Sequence, residues 1–190
     1  MSNQKYSHGI CVYSHNDTML RNIFTNGFGM RCVDAMTSLD QNSIESNSVA
    51  LSNIENGLEI MYAEIDDTEL EGIYQLKQQL VKHLNSSPIF MPTKPYELQS
   101  FIDLCKKRKS RFFVARNNIE NFAFIEVKAG GESSPSFDES VSNISGAFML
   151  PEYRGNGIFT KLLGFTFDKL RKSGYKRCGV DFESINPEAF

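Results

Sequence analysis

The stretch from Gly146 to Leu163 constrains this chain more than any other. An apolar run, Ala147 to Leu150, stops at Pro151, and a turn carrying Arg154, Gly155 and Gly157 follows. Beyond it Ile158, Leu162 and Phe165 recur at helical spacing, with Phe159, Leu163, Thr166 and Leu170 beside them. The pattern predicts a strand, a tight glycine turn and a helix. Such a turn aims unpaired backbone N–H groups and the positive end of the helix dipole at one point. That point suits an anion, most often a diphosphate. The chain has no Gly-x-x-x-x-Gly-Lys-Ser/Thr loop, and only part of the three-glycine dinucleotide turn with its downstream acid.

The words Leu150-Pro151-Glu152-Tyr153-Arg154-Gly155-Asn156-Gly157-Ile158, between a strand and a long amphipathic helix, resemble the acetyl-CoA-binding motif of the GNAT superfamily of N-acetyltransferases. That motif reads Gln/Arg-x-x-Gly-x-Gly/Ala. Arg154 and Gly157 match its first two fixed positions, and Phe159 stands where glycine or alanine is usual. The resemblance implies an α/β fold of GNAT type: a mixed, mostly antiparallel sheet flanked by helices. Its fourth and fifth strands would be parallel and splayed, with the pantetheine arm of acetyl-CoA in the gap. Backbone groups of Phe148, Met149 and Leu150 would hydrogen-bond that arm. The amides of Arg154, Gly155, Asn156, Gly157, Ile158, Phe159 and Thr160 would cradle the diphosphate, and Asn186 would touch the arm where the fifth strand ends.

The activity so implied is acetyl-CoA-dependent transfer to a primary amine, on a small molecule or a peptide, by direct attack. Transfer needs a route for the amine proton and an acid for the leaving thiolate. Glu183 lies three residues before Asn186 and is the first candidate base; Asp181 points to the same face and is the second. A relay through water would make neither carboxylate essential. The family often places a tyrosine acid seven residues after the asparagine. From Asn186 that position lies beyond Phe190, and from Asn16 it is Ile23. The rival reading is therefore a non-catalytic acyl-CoA-binding or interaction module, a degenerate or truncated relative.

Length and charge narrow the field. A chain of 190 residues suits one domain, or one domain and a fragment. Twenty basic against 23 acidic residues point to neither nucleic acid nor an anionic membrane as partner. Cys11, Cys32, Cys105 and Cys178 are scattered without a C-x-x-C, and read as reduced thiols. With His8, His15 and His83 they show no metal-ligand spacing, so no metal is expected. No apolar run approaches the ~20 residues that span a bilayer, and the N-terminus lacks a signal-peptide core. A soluble, cytoplasmic protein is expected.

In chain order, a strand is expected at Gly9–Tyr13, a helix from Thr18 to about Thr25 stopped by Asn26-Gly27, and a strand at Phe28–Ala35. Gly9–Asn16 aligns with Gly179–Asn186 in its glycine, serine and asparagine, and Gly27-Phe28 follows Asn16 at the spacing usual in GNAT proteins. Residues 1–40 thus resemble the C-terminal piece of a first GNAT-like unit in a tandem protein. Residues 41–57, rich in Ser and Asn, read as a linker. Residues 58–190 read as a GNAT-like domain lacking its usual last helix and strands. Three explanations stand: the chain is a fragment; residues 17–36 cover the open edge near Phe190, in the same molecule or in a swapped homodimer; or the domain is incomplete and inactive.

Within 58–190 the expected order is β-α-α-β-β-β-α-β. Strands are expected at Leu58–Ile65, Arg111–Arg116, Phe122–Lys128, Val141–Leu150 and Lys176–Glu183. Thr68-x-x-Glu71 reads as a capping box opening the first helix. A second helix runs from about Pro95 to Lys107, and Lys106-Lys107-Arg108-Lys109 reads as cations at its negative end. A helix follows the glycine turn and stops at Gly174. Glu132, Asp138 and Glu139 lie in a long acidic loop, either solvated or overhanging an amine site.

Overall fold

The computed structural model describes residues 10–30, 32–40, 53–55, 58–86, 94–130 and 138–183. Two compact units divide at Arg31/Cys32.

In the first unit, Asp17–Thr25 forms helix α1. The Asn16 side chain accepts from the Met19 N–H at 3.1 Å, a side-chain N-cap. Asn26-Gly27 ends the helix as expected. Gly27 takes φ +86°, Gly27 N–H bonds Phe24 O and Phe28 N–H bonds Ile23 O, the paired bonds of a Schellman stop. Ile10–Tyr13 carries no strand, so the strand expected at Gly9–Tyr13 is absent over its described residues. A lone extended segment without a partner strand has nowhere to place its backbone hydrogen bonds.

The second unit is built on seven strands: β1 (Cys32–Ser38), β2 (Asn53–Glu55), β3 (Leu58–Ile65), β4 (Arg111–Arg116), β5 (Asn121–Ala129), β6 (Val141–Met149) and β7 (Arg177–Glu183). Their order is β1-β7-β6-β5-β4-β3-β2. Every pairing is antiparallel except β6 with β7. Helices α2 (Leu70–Asn85) and α3 (Leu98–Arg108) precede β4, and α4 (Ile158–Lys172) crosses over between β6 and β7. This is the mixed, mostly antiparallel sheet that the resemblance implies, with its parallel pair between the two strands expected to carry it. Alternation along the strands gives each face its own core. Phe101 of α3 packs on Phe112 and Phe112 on Phe124, whereas Phe113 and Tyr62 meet Phe165 of α4. Each such ring buried contributes on the order of 1.5–3 kcal/mol.

The free edge of β7 is covered within the same chain. Cys32 to Ser38 pair Glu183 to Arg177, and the buried Leu39 donates its N–H to Lys176 O at 2.8 Å. This strand begins later than the expected Phe28–Ala35, and β2 forms inside the stretch read as linker. A truncation distinguishes its role. Deleting residues 1–31 should leave a monodisperse unit, while deleting 1–40 exposes the β7 edge and should produce self-association on size exclusion. Equal behaviour of the two would show that β1 is dispensable there.

Local chemistry explains the other helix ends. Thr68 and Glu71 do not form the capping box: α2 starts at Leu70 with Glu69 in the cap position and no side-chain cap bond. Asp66 instead accepts both the N–H and the hydroxyl of Thr68, at 2.8 and 2.5 Å, which holds its carboxyl below the usual range. An aspartate two residues upstream captures the threonine before the helix can. The basic run does sit on the last turn of α3, ending at Lys109 with φ 52°. Gly174, at φ +92°, follows the Ser173 cap of α4.

Candidate active site

Four elements converge where β6 leaves β7. The parallel pairs run Val141↔Arg177, Ser142↔Cys178, Asn143↔Gly179 and Ile144↔Val180, and then stop. β6 continues to Met149 along β5, and β7 continues to Glu183 along β1. The two neighbours therefore diverge after Ile144 and Val180. At the same place β6 carries a bulge. Val127 pairs Ile144 but Glu126 pairs Gly146, so Ser145 has no opposite number on β5.

The strand then feeds the turn. Pro151–Tyr153 make one 3-10 turn, which Tyr153 pins to the β4–β5 hairpin. Its ring stacks on Phe122 at 4.0 Å, and its hydroxyl donates to Glu120 Oε1 and accepts from Asn117 Nδ2, both at 3.2 Å. Burial first, then the Glu120 carboxylate, raise the Tyr153 phenol pKa. Gly155 and Gly157 follow at φ +85° and +72°, values that glycine adopts without strain. Gly157 is the N-cap of α4, and its carbonyl takes the first helical bond, from Lys161 N–H at 3.1 Å. The amides of Ile158, Phe159 and Thr160 precede that bond and belong to the orphan donors of a helix start. The first turn carries no acid and the last turn carries Lys169, Arg171 and Lys172, so the dipole stands uncompensated at its positive end. Gly155, Asn156 and Gly157 are exposed; Phe159 is half-buried against the core.

The other expected site residues fall as follows. Leu150 has both backbone groups engaged: its N–H bonds Phe122 O at 2.9 Å and its carbonyl accepts from Tyr153 N–H. By alternation Phe148 also turns its backbone toward β5, leaving the Met149 N–H on the side of the gap. Arg154 folds back over the strand end. Its Nε donates to Met149 O at 3.0 Å and its guanidinium lies 5.6 Å from the Phe148 ring centre. Asp181 is exposed on β7, opposite Asp34 in register, and Glu183 pairs Cys32. Asn186 and Glu132 lie outside the described residues. Asp138 is bound into the fold: Ser140 donates to it through N–H and hydroxyl, Arg177 pairs with it, and these contacts lower its pKa.

Sequence reasoning missed a buried ion pair beside the bulge. Lys77 of α2 pairs with Glu126 of β5, their side chains 15% and 6% exposed, and Ser110 Oγ donates to the other Glu126 oxygen at 2.7 Å. A charged residue inside the otherwise apolar run Phe122–Val127 is the signal that could have found it. Cys105 lies next to this pair. Burial, then the Glu126 charge, push its thiol up to about 12. The thiolate is the reactive form, so Cys105 should resist maleimide or iodoacetamide at pH 8 in the native fold while exposed Cys11 reacts at once; peptide mapping after a timed pulse reads this. Rapid native labelling of Cys105 would contradict its burial.

A strand, a glycine turn and an exposed helix start joined to a splayed parallel pair thus make up the site's frame. The profile of the Acetyltransferase (GNAT) family matches residues 77–189, and the chain belongs to that family. No curated relative matches the sequence. Among solved structures, the aminoglycoside N-acetyltransferase AAC(6')-Iy in complex with CoA is 17% identical, covers 72% of this chain and 86% of its own, and has a TM-score of 0.53. An aminoglycoside acetyltransferase from an uncultured soil metagenomic sample, in complex with trehalose, is 14% identical over 72% and 85%, with a TM-score of 0.57. A GCN5-related N-acetyltransferase from Sphaerobacter thermophilus is 11% identical, with a TM-score of 0.59; it covers 92% of this chain but 50% of its own. At these identities the likeness is one of fold. Among the described residues no helix is long and apolar enough to cross a membrane, and no group of three or more His, Cys, Asp or Glu could hold a metal ion.

Proposed function

We propose that this chain binds acetyl-CoA in the gap between β6 and β7 and transfers its acetyl group to a primary amine by direct attack. The observation that carries the reading is the end of parallel pairing at Ile144↔Val180, on a strand that leads through the glycine turn to the α4 start. The diphosphate lies on the amides from Gly155 to Thr160, because the Arg154 N–H already bonds Pro151 O at 3.1 Å. The pantetheine arm lies along β6 as an added strand, with Met149 N–H as its donor, since Leu150 is already engaged. Gly146 lies four residues before Leu150, about 13 Å up the strand, so the thioester end arrives near the bulge. Asn186 is assigned to the arm by the family motif.

In the transfer a neutral amine nitrogen attacks the thioester carbonyl carbon and forms the C–N bond. The tetrahedral oxyanion then collapses, the C–S bond breaks, the nitrogen loses its proton and the thiolate of CoA gains one. Asp181 and Glu183 are the assigned proton acceptors, directly or through water. The second reading, an acyl-CoA-binding module without turnover, is favoured by Phe159 at the first helical turn and by Ile23 where the first copy would need a phenol. Calorimetry with acetyl-CoA and thiol release with a panel of amines separate the two. Binding with turnover supports the enzyme, binding without turnover supports the module, and no binding ends both.

The match to half of the Sphaerobacter chain and the Gly9–Asn16 repeat support reading residues 1–40 as the end of a preceding unit, one whose last stretch, β1, pairs with β7 in the second unit's sheet. Sequencing the gene on both sides of this segment tests that.

A further inference from the structure

A cleft of about 190 Å³ opens between α2 and α3 and reaches the sheet at the β6 bulge. Its walls carry Leu80, Leu84, Phe101 and Leu104 together with Arg108, and its floor is polar, made by Lys77, Glu126 and Ser145. Ser145 is the bulge residue, and its Oγ is buried without a hydrogen-bond partner. Gly146, its neighbour, is opposite Glu126 and just beyond the last β6–β7 pair. A molecule seated in this cleft thus abuts β6 where the strands part.

We infer that this cleft is the acceptor site and that it selects a small monoamine with an apolar body, not a polycation. The inference rests on the acetyl-transfer reading above and adds the substrate class. Three observations carry it. First, a buried hydroxyl without a partner at the floor is a group that a bound ammonium satisfies, since an ammonium is a donor and Ser145 Oγ can accept. Glu126 adds a buried carboxylate with lone pairs beyond those used by Lys77 and Ser110. Second, Glu126 is the single acid among the described lining residues, against Lys77 and Arg108. Lys77 already pairs with Glu126, so the lining is net positive before a ligand arrives; a monoamine meets the least repulsion, and each further ammonium adds to it. Third, the volume is below the roughly 300–1,000 Å³ of drug-sized sites, too small for a multi-ring aminoglycoside. The acceptors of the structurally similar aminoglycoside enzymes therefore do not carry over.

The probes are phenethylamine and hexylamine against spermine and kanamycin, titrated calorimetrically into the full chain with and without CoA. Phenethylamine or hexylamine should bind saturably and at least about tenfold more tightly than either polycation, and thiol release from acetyl-CoA should follow the same order. Leu84 and Leu104 are half-buried, and Leu84→Asp and Leu104→Asp each add an acid to the apolar wall. In either variant that melts like the parent, phenethylamine should weaken about tenfold and spermine should gain. Tighter binding of spermine or kanamycin by the parent, or unchanged phenethylamine binding in both variants, overturns the inference. Failure of acetyl-CoA to bind overturns the transfer reading instead, because the amine titration without CoA reads the cleft on its own.

Discussion

A Gly157→Asp variant should bind CoA about a hundredfold more weakly than the parent while melting within a few degrees of it. The two effects separate because they arise differently. Gly157 is the α4 N-cap at φ +72°, and a Cβ built there meets nothing within 4 Å, so no neighbour has to move. The left-handed backbone costs an ordinary residue about 1–2 kcal/mol. Aspartate recovers part of that, because it tolerates this region and its carboxylate suits a helix N-terminus. The same carboxylate is fatal to ligand binding. It occupies the amides that would grip a diphosphate and sets a negative charge against the phosphates. A hundredfold corresponds to about 2.7 kcal/mol, within reach of losing two or three charge-assisted hydrogen bonds. Isothermal titration with CoA, beside a thermal melt, reads both. A variant that binds CoA as the parent does would place the nucleotide elsewhere. A Gly157→Ala control carries the backbone strain without the charge and should lose much less affinity.

The parts of this molecule that are legible in the sequence are those whose contacts are local. Between Ala147 and Gly174 a proline, two glycines and a periodic helix specify strand, turn and stop within a few residues of each other, and Asn26-Gly27 closes α1 by bonds that span only five. Strand pairing is harder to read. β1 begins at Cys32 because its partner β7, far away in sequence, sets the register from Arg177 to Glu183. The apparent capping box at Thr68 fails for a subtler reason: Asp66, two residues earlier, is a better local acceptor than Glu71. At the site, the motif identifies the turn but not which backbone groups stay available. Leu150 looks equivalent to Met149 until Phe122 and Tyr153 are seen to take both its groups. Nothing in sequence order announces the bulge at Ser145 either, since it comes from a mismatch between two strands.

Lys77→Met should be the most damaging single substitution of a residue outside the apolar core. Lys77 and Glu126 are 49 positions apart and meet between α2 and β5, both largely shielded from water. Methionine keeps much of the aliphatic reach beside the Phe124 ring, which the ammonium approaches at 5.6 Å, and removes only the charge. The Glu126 carboxylate then stays buried with one hydrogen bond, from Ser110 Oγ. Leaving one member of a buried pair behind costs about 3–5 kcal/mol, which for a chain of this size lowers Tm by roughly 10 °C. The double variant Lys77→Met/Glu126→Leu should regain most of that, because replacing both charges with apolar groups is often close to neutral. Gly146→Ala should err in the same direction by less: a Cβ there would meet Lys77 Nζ at 2.8 Å and push the flexible side chain off its partner. Thermal melts of the four proteins, completed with Glu126→Leu as a double-mutant cycle, measure the coupling directly. If Lys77→Met melts with the parent, water from the cleft hydrates the Glu126 carboxylate well enough to replace Lys77.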